Sequence, residues 1–255
     1  MKTSERLWDS ETCPDELFGD DIPMLHSYLP EVRRGDGAVI IFTGGAYARR
    51  APHEAEPYAL KLNEMGIAAF VVDYRVMPSM PHLPATDAIR AMRIVRERAE
   101  QYKINPEKIA VMGSSAGGHL AATCGHFDPY MRPNAQILCY PVTDIESHRG
   151  SYENLLSGDL EKAELLSPTA MARDYTPPTF IWHTSSDPSV DVKGTYRYAA
   201  RLSELGVPVE MHIYPVGGHG LGLANGLYGR ETEVYVQRWI NDLEHWLKLI
   251  GWINE

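Results

Sequence analysis

The sequence predicts an α/β architecture, a mostly parallel central sheet with helices on both faces. Three observations carry that expectation. Short apolar, β-branched runs alternate with amphipathic helical patterns along nearly the whole chain. Four of those runs are apolar at every position, which suits strands covered on both sides by helices. No stretch rich in Gly, Ser or Pro splits the chain, so one domain over residues 25–255 is expected behind an N-terminal extension over 1–24.

Taken in order, a weak strand is expected over residues 24–29, before the turn Arg34-Gly35-Asp36-Gly37. The fully apolar runs are 39–42, 68–72, 109–112 and 137–140. A run over 179–182 follows. The run 209–214 alternates more, as an edge strand would. Helices fill the gaps. Pro57 opens the first, with Tyr58, Leu62 and Met65 on one face and Gly66 as its stop. The second covers about 85–101, with Ala88, Met92, Val95 and Ala99 in register. A third follows Ser115, a fourth covers about 192–205, and the last is expected over 232–249 with Val236, Trp239, Leu243, Trp246 and Ile250 as its apolar stripe. Strand, helix and strand in alternation imply right-handed crossovers. Residues 142–178 form the one long irregular region, too short for a large lid, so an open site with little or no cap is expected.

Composition narrows the function. The 255 residues carry a net charge of −10, with 44 % hydrophobic and 23 % charged residues. Those proportions exclude a disordered or collagen-like chain. A basic face for nucleic acid or an anionic membrane is not expected. No run of apolar residues is long enough to span a bilayer. The start MKTSERLWDSETCPDE lacks the apolar centre of a secretory signal. Cys13, Cys124 and Cys139 form no CxxC pair and suit reduced thiols, so a cytoplasmic location is expected.

Ligands of such a sheet bind beyond the carboxyl ends of its strands. After the run 109–112 comes Gly113-Ser114-Ser115-Ala116-Gly117, a G-x-S-x-G between strand and helix. The turn is too tight for side chains on its glycines, and it exposes the central serine hydroxyl. The helix that follows points its N–H groups at any anion formed there. A serine needs a base. His219 follows the last strand in Gly217-Gly218-His219-Gly220, and Asp187 follows the strand before it. An imidazole needs such a carboxylate to fix its tautomer. Each residue alone has a bland alternative: a flexible turn, a turn aspartate before Pro188, a loop histidine. All three at strand ends, in the order serine, aspartate, histidine, point to a catalytic triad. An oxyanion needs donors, and Ala116 N–H is the first candidate. Thr43-Gly44-Gly45-Ala46-Tyr47 follows the run 39–42 and offers Gly45 and Ala46 as further donors.

These motifs make the chain resemble bacterial α/β-hydrolase esterases of the group that includes acetylxylan esterases, acetyl esterases and feruloyl-esterase-like carbohydrate esterases. The carriers are T-G-G-A-Y (43–47), V-V-D-Y-R-V (71–76), N-P-E-K-I-A-V-M-G-S-S-A-G-G-H-L-A-A (105–122), L-S-P (166–168), P-P-T-F-I-W-H-T-S-S-D (177–187) and G-G-H-G-L-G-L-A (217–224). The resemblance implies Ser115 as nucleophile, His219 as base, Asp187 as orienting acid, and Gly45, Ala46 and Ala116 as oxyanion donors. It implies no cofactor and a small-molecule or oligosaccharide ester as substrate, with acetyl esters of xylo-oligosaccharides or other sugars foremost. Feruloyl or aryl esters, and arylformamides, are the alternatives within enzymes. A catalytically inactive binding protein is the alternative outside them, and the filled triad positions speak against it. The chain departs from the family pattern at Thr43 and Ala46, where a further glycine or a Pro/His start is common, and at Asp191, where a proline often follows the valine.

Other residues are weaker candidates. Tyr47, Ser114, His119 and Trp182 are possible substrate contacts, with packing as the competing role for each. Asp73-Tyr74-Arg75 is expected to sit under the oxyanion loop, with a buried Asp–Arg pair. His53-Glu54 lacks the second histidine of a metalloprotease motif, and no metal-ligand spacing occurs elsewhere. No phosphate-binding glycine loop opens a helix.

Overall fold

In the computed structural model, residues 2–9, 13, 22–76 and 82–254 are described. The strands are β1 (Lys2–Arg6), β2 (Met24–Tyr28), β3 (Ala38–Phe42), β4 (Ala68–Asp73), β5 (Ile109–Ser114), β6 (Ala135–Cys139), β7 (Thr179–Thr184) and β8 (Val209–Tyr214). They form one sheet in the order β1-β2-β4-β3-β5-β6-β7-β8. β1, β2 and β4 pair antiparallel, and every other pair is parallel. The alternating strand β8 lies at an edge, as its pattern predicts.

The helices are α1 (Glu56–Glu64), α2 (Leu83–Glu97), α3 (Ala99–Tyr102), α4 (Ala116–Cys124), α5 (Arg149–Leu156), α6 (Pro168–Met171), α7 (Val192–Glu204) and α8 (Trp239–Leu249). Successive residues of a strand point to opposite faces. Ile40 and Phe42 therefore join Met92, Leu120 and Tyr198, the layer of α2, α4 and α7. Val39 and Ile41 join Tyr58, Leu62 and Leu243, the layer of α1 and α8. Each such side chain, fully buried, contributes about 1.5–3 kcal/mol relative to exposure, so even a five-residue strand holds its register firmly.

Four expectations need correction. Residues 1–24 are not simply an extension: Lys2–Arg6 adds an edge strand against β2, and Leu7 is buried in the core. The final helix starts at Trp239, not 232, after a 3-10 turn over Val236–Arg238. Thr232 instead bridges Asn225, and Glu233 N–H donates to Ala224 C=O, which uses the backbone a helix would need. The helix expected over 85–101 starts at Leu83 and breaks at Arg98 into α2 and α3. The buried pair of Arg75 is with Asp87, at 2.7 and 3.0 Å, not with Asp73. Asp73 instead binds His26 at 2.9 Å. The expected support of the oxyanion loop comes from Tyr74, whose hydroxyl donates to Thr43 C=O at 2.6 Å.

This topology sets the site. β3, β5, β7 and β8 run parallel, so the segments after them leave the sheet at one rim. Those segments carry Gly44–Ala46, Ser115, Asp187 and His219.

Candidate active site

Ser115 is the residue between β5 and α4, with φ 53° and ψ −120°. A positive φ in a residue with a side chain costs on the order of 1–3 kcal/mol and persists only where the surroundings force it. Here they do. A Cβ on Gly113 would meet Gly117 O at 2.0 Å, and one on Gly117 would meet Phe42 O at 2.2 Å and Thr43 O at 2.5 Å. The turn is pressed against itself and against β3, and only glycine fits either side of Ser115. Backbone bonds from Ser115 N–H to Cys139 C=O (3.0 Å) and from Val142 N–H to Ser115 C=O (3.0 Å) tie it to the β6 end.

Ser115 Oγ lies 2.9 Å from His219 Nε2, and His219 Nδ1 lies 2.7 Å from Asp187 Oδ2. An ionised carboxylate only accepts, so Nδ1 carries the proton and Nε2 offers its lone pair to the serine O–H. The loop of His219 is held on several sides. Thr184 and Ser186 hydroxyls donate to Gly217 C=O, at 2.9 and 3.0 Å. The Arg230 guanidinium donates to Gly220 C=O at 2.7 Å and also to His219 C=O.

Asp187 is buried, with a side chain 1 % exposed. Burial alone would raise its pKa. Bonds from His183 and His219 and the backbone N–H of Val190 outweigh that and hold the carboxyl well below the usual carboxylate range. Ser189 N–H also donates to Oδ1, at 2.8 Å. His183 is a residue that motif reading missed. Its Nε2 donates to Asp187 Oδ2 at 3.1 Å, and its Nδ1 faces the Thr195 hydroxyl at 2.8 Å. Burial lowers the pKa of His183 more than the carboxylate raises it, so the ring stays neutral. Its signal was its place four residues before Asp187 in the same motif.

The loop expected to hold the oxyanion follows β3. Gly45 has φ 127°, and a Cβ there would strike Arg49 O at 2.1 Å, so glycine is required. Ala46 also has positive φ, 54°. Among the described residues, no backbone carbonyl accepts from the N–H of Gly45, Ala46 or Ala116. Gly44 N–H is already used: it donates to Glu54 Oε2 at 2.6 Å. Glu54 is a second residue the motifs did not reveal. It is buried and its Oε1 accepts from the Tyr140 hydroxyl at 2.8 Å. That hydroxyl in turn accepts from Gly222 N–H at 3.0 Å, beyond His219. His53 donates to Gly220 C=O at 2.9 Å and lies 3.3 Å from Glu54 Oε1. Burial opposes the charge of Glu54, but His53, Tyr140 and Gly44 together hold its pKa below the ordinary value. A buried carboxylate therefore clamps the oxyanion loop to the histidine loop.

The cleft over Ser115 measures about 270 Å³ and is bounded by Gly45, Ala46, His148, His219 and Arg230 among others. Four sequence candidates do not reach it. Tyr47 is buried and its hydroxyl donates to His119 Nδ1 at 2.6 Å. His119 Nε2 donates to Leu166 C=O at 2.8 Å, and burial pushes its pKa down to about 4. Ser114 pairs with the Tyr58 hydroxyl at 3.1 Å. Trp182 stacks on Trp239, with ring centroids 5.0 Å apart. All four pack beneath the site, Ser114 and Trp182 from strands, His119 from α4 and Tyr47 from the turn after β3.

A strained serine between a parallel strand and a helix, with an imidazole and a carboxylate from later strand ends, defines an α/β-hydrolase. Residues 25–202 match BD-FAE, and the chain belongs to that family. It is 34 % identical over 245 residues to an acetylxylan esterase of Xylanibacter ruminicola, covering 92 % of this chain and 50 % of the relative. It is 33 % identical over 243 residues to endo-1,4-beta-xylanase B of Butyrivibrio fibrisolvens, covering 87 % of this chain and 38 % of the relative. The chain thus spans half or less of the length of either. The crystal structure of an acetyl ester-xyloside bifunctional hydrolase from Caldicellulosiruptor lactoaceticus superposes with a TM-score of 0.88 at 39 % identity, covering 99 % of this chain and 97 % of that one. Among the described residues, no helix is long and apolar enough to cross a membrane.

Proposed function

We propose that this chain is a serine esterase that removes short acyl groups, acetyl foremost, from xylo-oligosaccharides or other sugars. The observation that carries the reading is the unbroken hydrogen-bonded line Ser115–His219–Asp187. Ser115 Oγ attacks the ester carbonyl while His219 Nε2 takes its proton. Asp187 orients the imidazole and stabilises its cation. The oxyanion is met by the N–H groups of Ala116, Gly45 and Ala46, each such donor being worth about 10²–10³ in rate. The alcohol leaves with the proton from His219. Water, activated by the same imidazole, then releases the acid. No step calls for a cofactor.

The acyl preference rests on the modest cleft and on the relatives, two of which carry acetyl-ester names. Cys124 and Cys139 are buried free thiols, which fits work in a reducing cytoplasm on imported oligosaccharides rather than on intact polymer. The test is turnover of p-nitrophenyl esters from acetate to dodecanoate beside acetylated xylo-oligosaccharides and methyl ferulate. Acetate should be preferred and the sugar esters cleaved. A preference for octanoate or longer, or for ferulate, would overturn the substrate reading. Loss of fluorophosphonate labelling in Ser115→Ala checks the nucleophile.

A further inference from the structure

His148 is the N-cap of α5, within residues 142–178. Its ring caps the helix: Nδ1 accepts from Ser151 N–H at 3.0 Å. A backbone N–H can only donate, so Nδ1 is the acceptor and the proton of the neutral ring sits on Nε2. Among the described residues, nothing bonds to that Nε2–H. The cap thus fixes a hydrogen-bond donor at the rim of the cleft.

The position of that donor gives it a use. His148 and Ser189 bound both the Ser115 cleft and a neighbouring groove of about 430 Å³. The groove is polar, with Glu146, Arg149, Ser185 and Asp191 along it. The departing alcohol must sit beside His219, because it takes its proton there. His148 lies on that same side: it bounds the Ser115 cleft together with His219 and Arg230.

We infer that His148 Nε2–H binds an oxygen of the substrate's alcohol half, and that the groove beyond it takes a hydroxyl-rich chain such as further sugar units. This rests on the esterase reading for its orientation, but its test does not depend on turnover. Xylotriose is titrated calorimetrically into the wild type and into His148→Asn. Asparagine keeps an acceptor for the helix cap but lacks a donor in the Nε2 position. Xylotriose should bind the wild type more tightly than xylose does, and H148N should weaken it about five- to tenfold, the loss expected for one hydrogen bond. In the wild type, xylotriose should also shift the ring ¹⁵N resonance of His148, a measurement that needs no folded variant. Equal affinity in H148N, no resonance shift, or no xylotriose binding to the wild type would overturn the inference. Hydrolysis of p-nitrophenyl acetate in the same preparation separates the two readings. Activity without xylotriose binding removes only the groove assignment, and binding without activity removes only the esterase.

Discussion

The proposed nucleophile elbow and the proposed acid–histidine relay hold their side chains in place by different means. The elbow is five consecutive residues, Gly113–Gly117, and its geometry is set by backbone against backbone. The relay gathers side chains from distant parts of the chain. Asp187 takes bonds from His183, His219, Ser189 and Val190, while Glu54 and Tyr140 tie the loops around it. A backbone device is nearly all-or-none, since a misplaced Cβ has nowhere to go. A side-chain network is graded, since each member can be removed and the rest still constrain the geometry. The largest effect expected of any change is therefore at the elbow itself. Ser115→Ala should lower kcat by about 10⁵–10⁶ with the melting curve almost unmoved, because removing a nucleophile leaves only oxyanion binding. Retention of more than a few per cent of activity would break the comparison.

At the relay the expected loss is smaller. Asp187→Asn keeps the shape but offers the histidines an N–H where they need an acceptor. Asparagine can turn its oxygen to only one side, so His219 loses its tautomer control in part of the population. A fall of about 10⁴ in kcat is expected. A loss as large as that of Ser115→Ala would mean that the relay is as brittle as the elbow.

The same contrast explains what was legible in the sequence. Gly113, Ser115 and Gly117 are readable because their cause is local: a turn that tight admits no other residues at the two flanks. Asp187 and His219 are readable because strand ends and chain order place them. Glu54 was not readable, because Gly44 and Tyr140 reach it only in the folded chain, and His183 was legible only as a neighbour of Asp187 in one motif, not as its donor. Arg75 shows the difficulty. Asp73 lies two residues away and Asp87 twelve, and the nearer acid is taken by His26 while α2 delivers the farther one. Tyr47 and Trp182 misled for a related reason. An aromatic in a strand or in the turn after it can pack inward or line the cleft, and the pattern alone does not say that Trp182 faces α8 or that Tyr47 packs on His119.

A third effect lies under the elbow and depends on pH. His119, in the helix that follows Ser115, is buried against Tyr47, Tyr152 and Leu166, and its pKa falls to about 4. The unfolded chain holds it near 6.5. Between those values the unfolded state binds more protons, so stability falls as pH drops and is fully present only above about 6.5. The loss approaches about 3 kcal/mol at pH 4 as an upper bound. Urea unfolding at about pH 7 and pH 4.5 should show it, and His119→Gln should flatten the slope. His126, also pushed down to about 4 by burial, supplies a remainder that the substitution leaves. An unchanged slope in H119Q would place the acid sensitivity in the other buried histidines, His126 and His183.

The smallest effect tests the clamp that joins the two regions. Glu54 accepts from Gly44 N–H with one oxygen and from Tyr140 with the other. Glutamine has one acceptor and no charge, so Glu54→Gln keeps the bond from Gly44 only if the Tyr140 hydroxyl reverses and accepts, and the charge-assisted part of both bonds is lost. A bond to a charged group is worth about 1.5–3 kcal/mol. If Gly44 loses its anchor, the neighbouring donors at Gly45 and Ala46 drift, and those groups matter most when the oxyanion forms. Ground-state binding depends on them less. Glu54→Gln should thus lower kcat about 10- to 100-fold while KM changes less than threefold, by the logic that separates transition-state from uniform binding. A rise in KM at constant kcat would show Glu54 acting as part of the substrate surface. Unchanged kinetics would show that the backbone of β3 positions the oxyanion loop unaided, making that loop a second elbow and not an outlying part of the network.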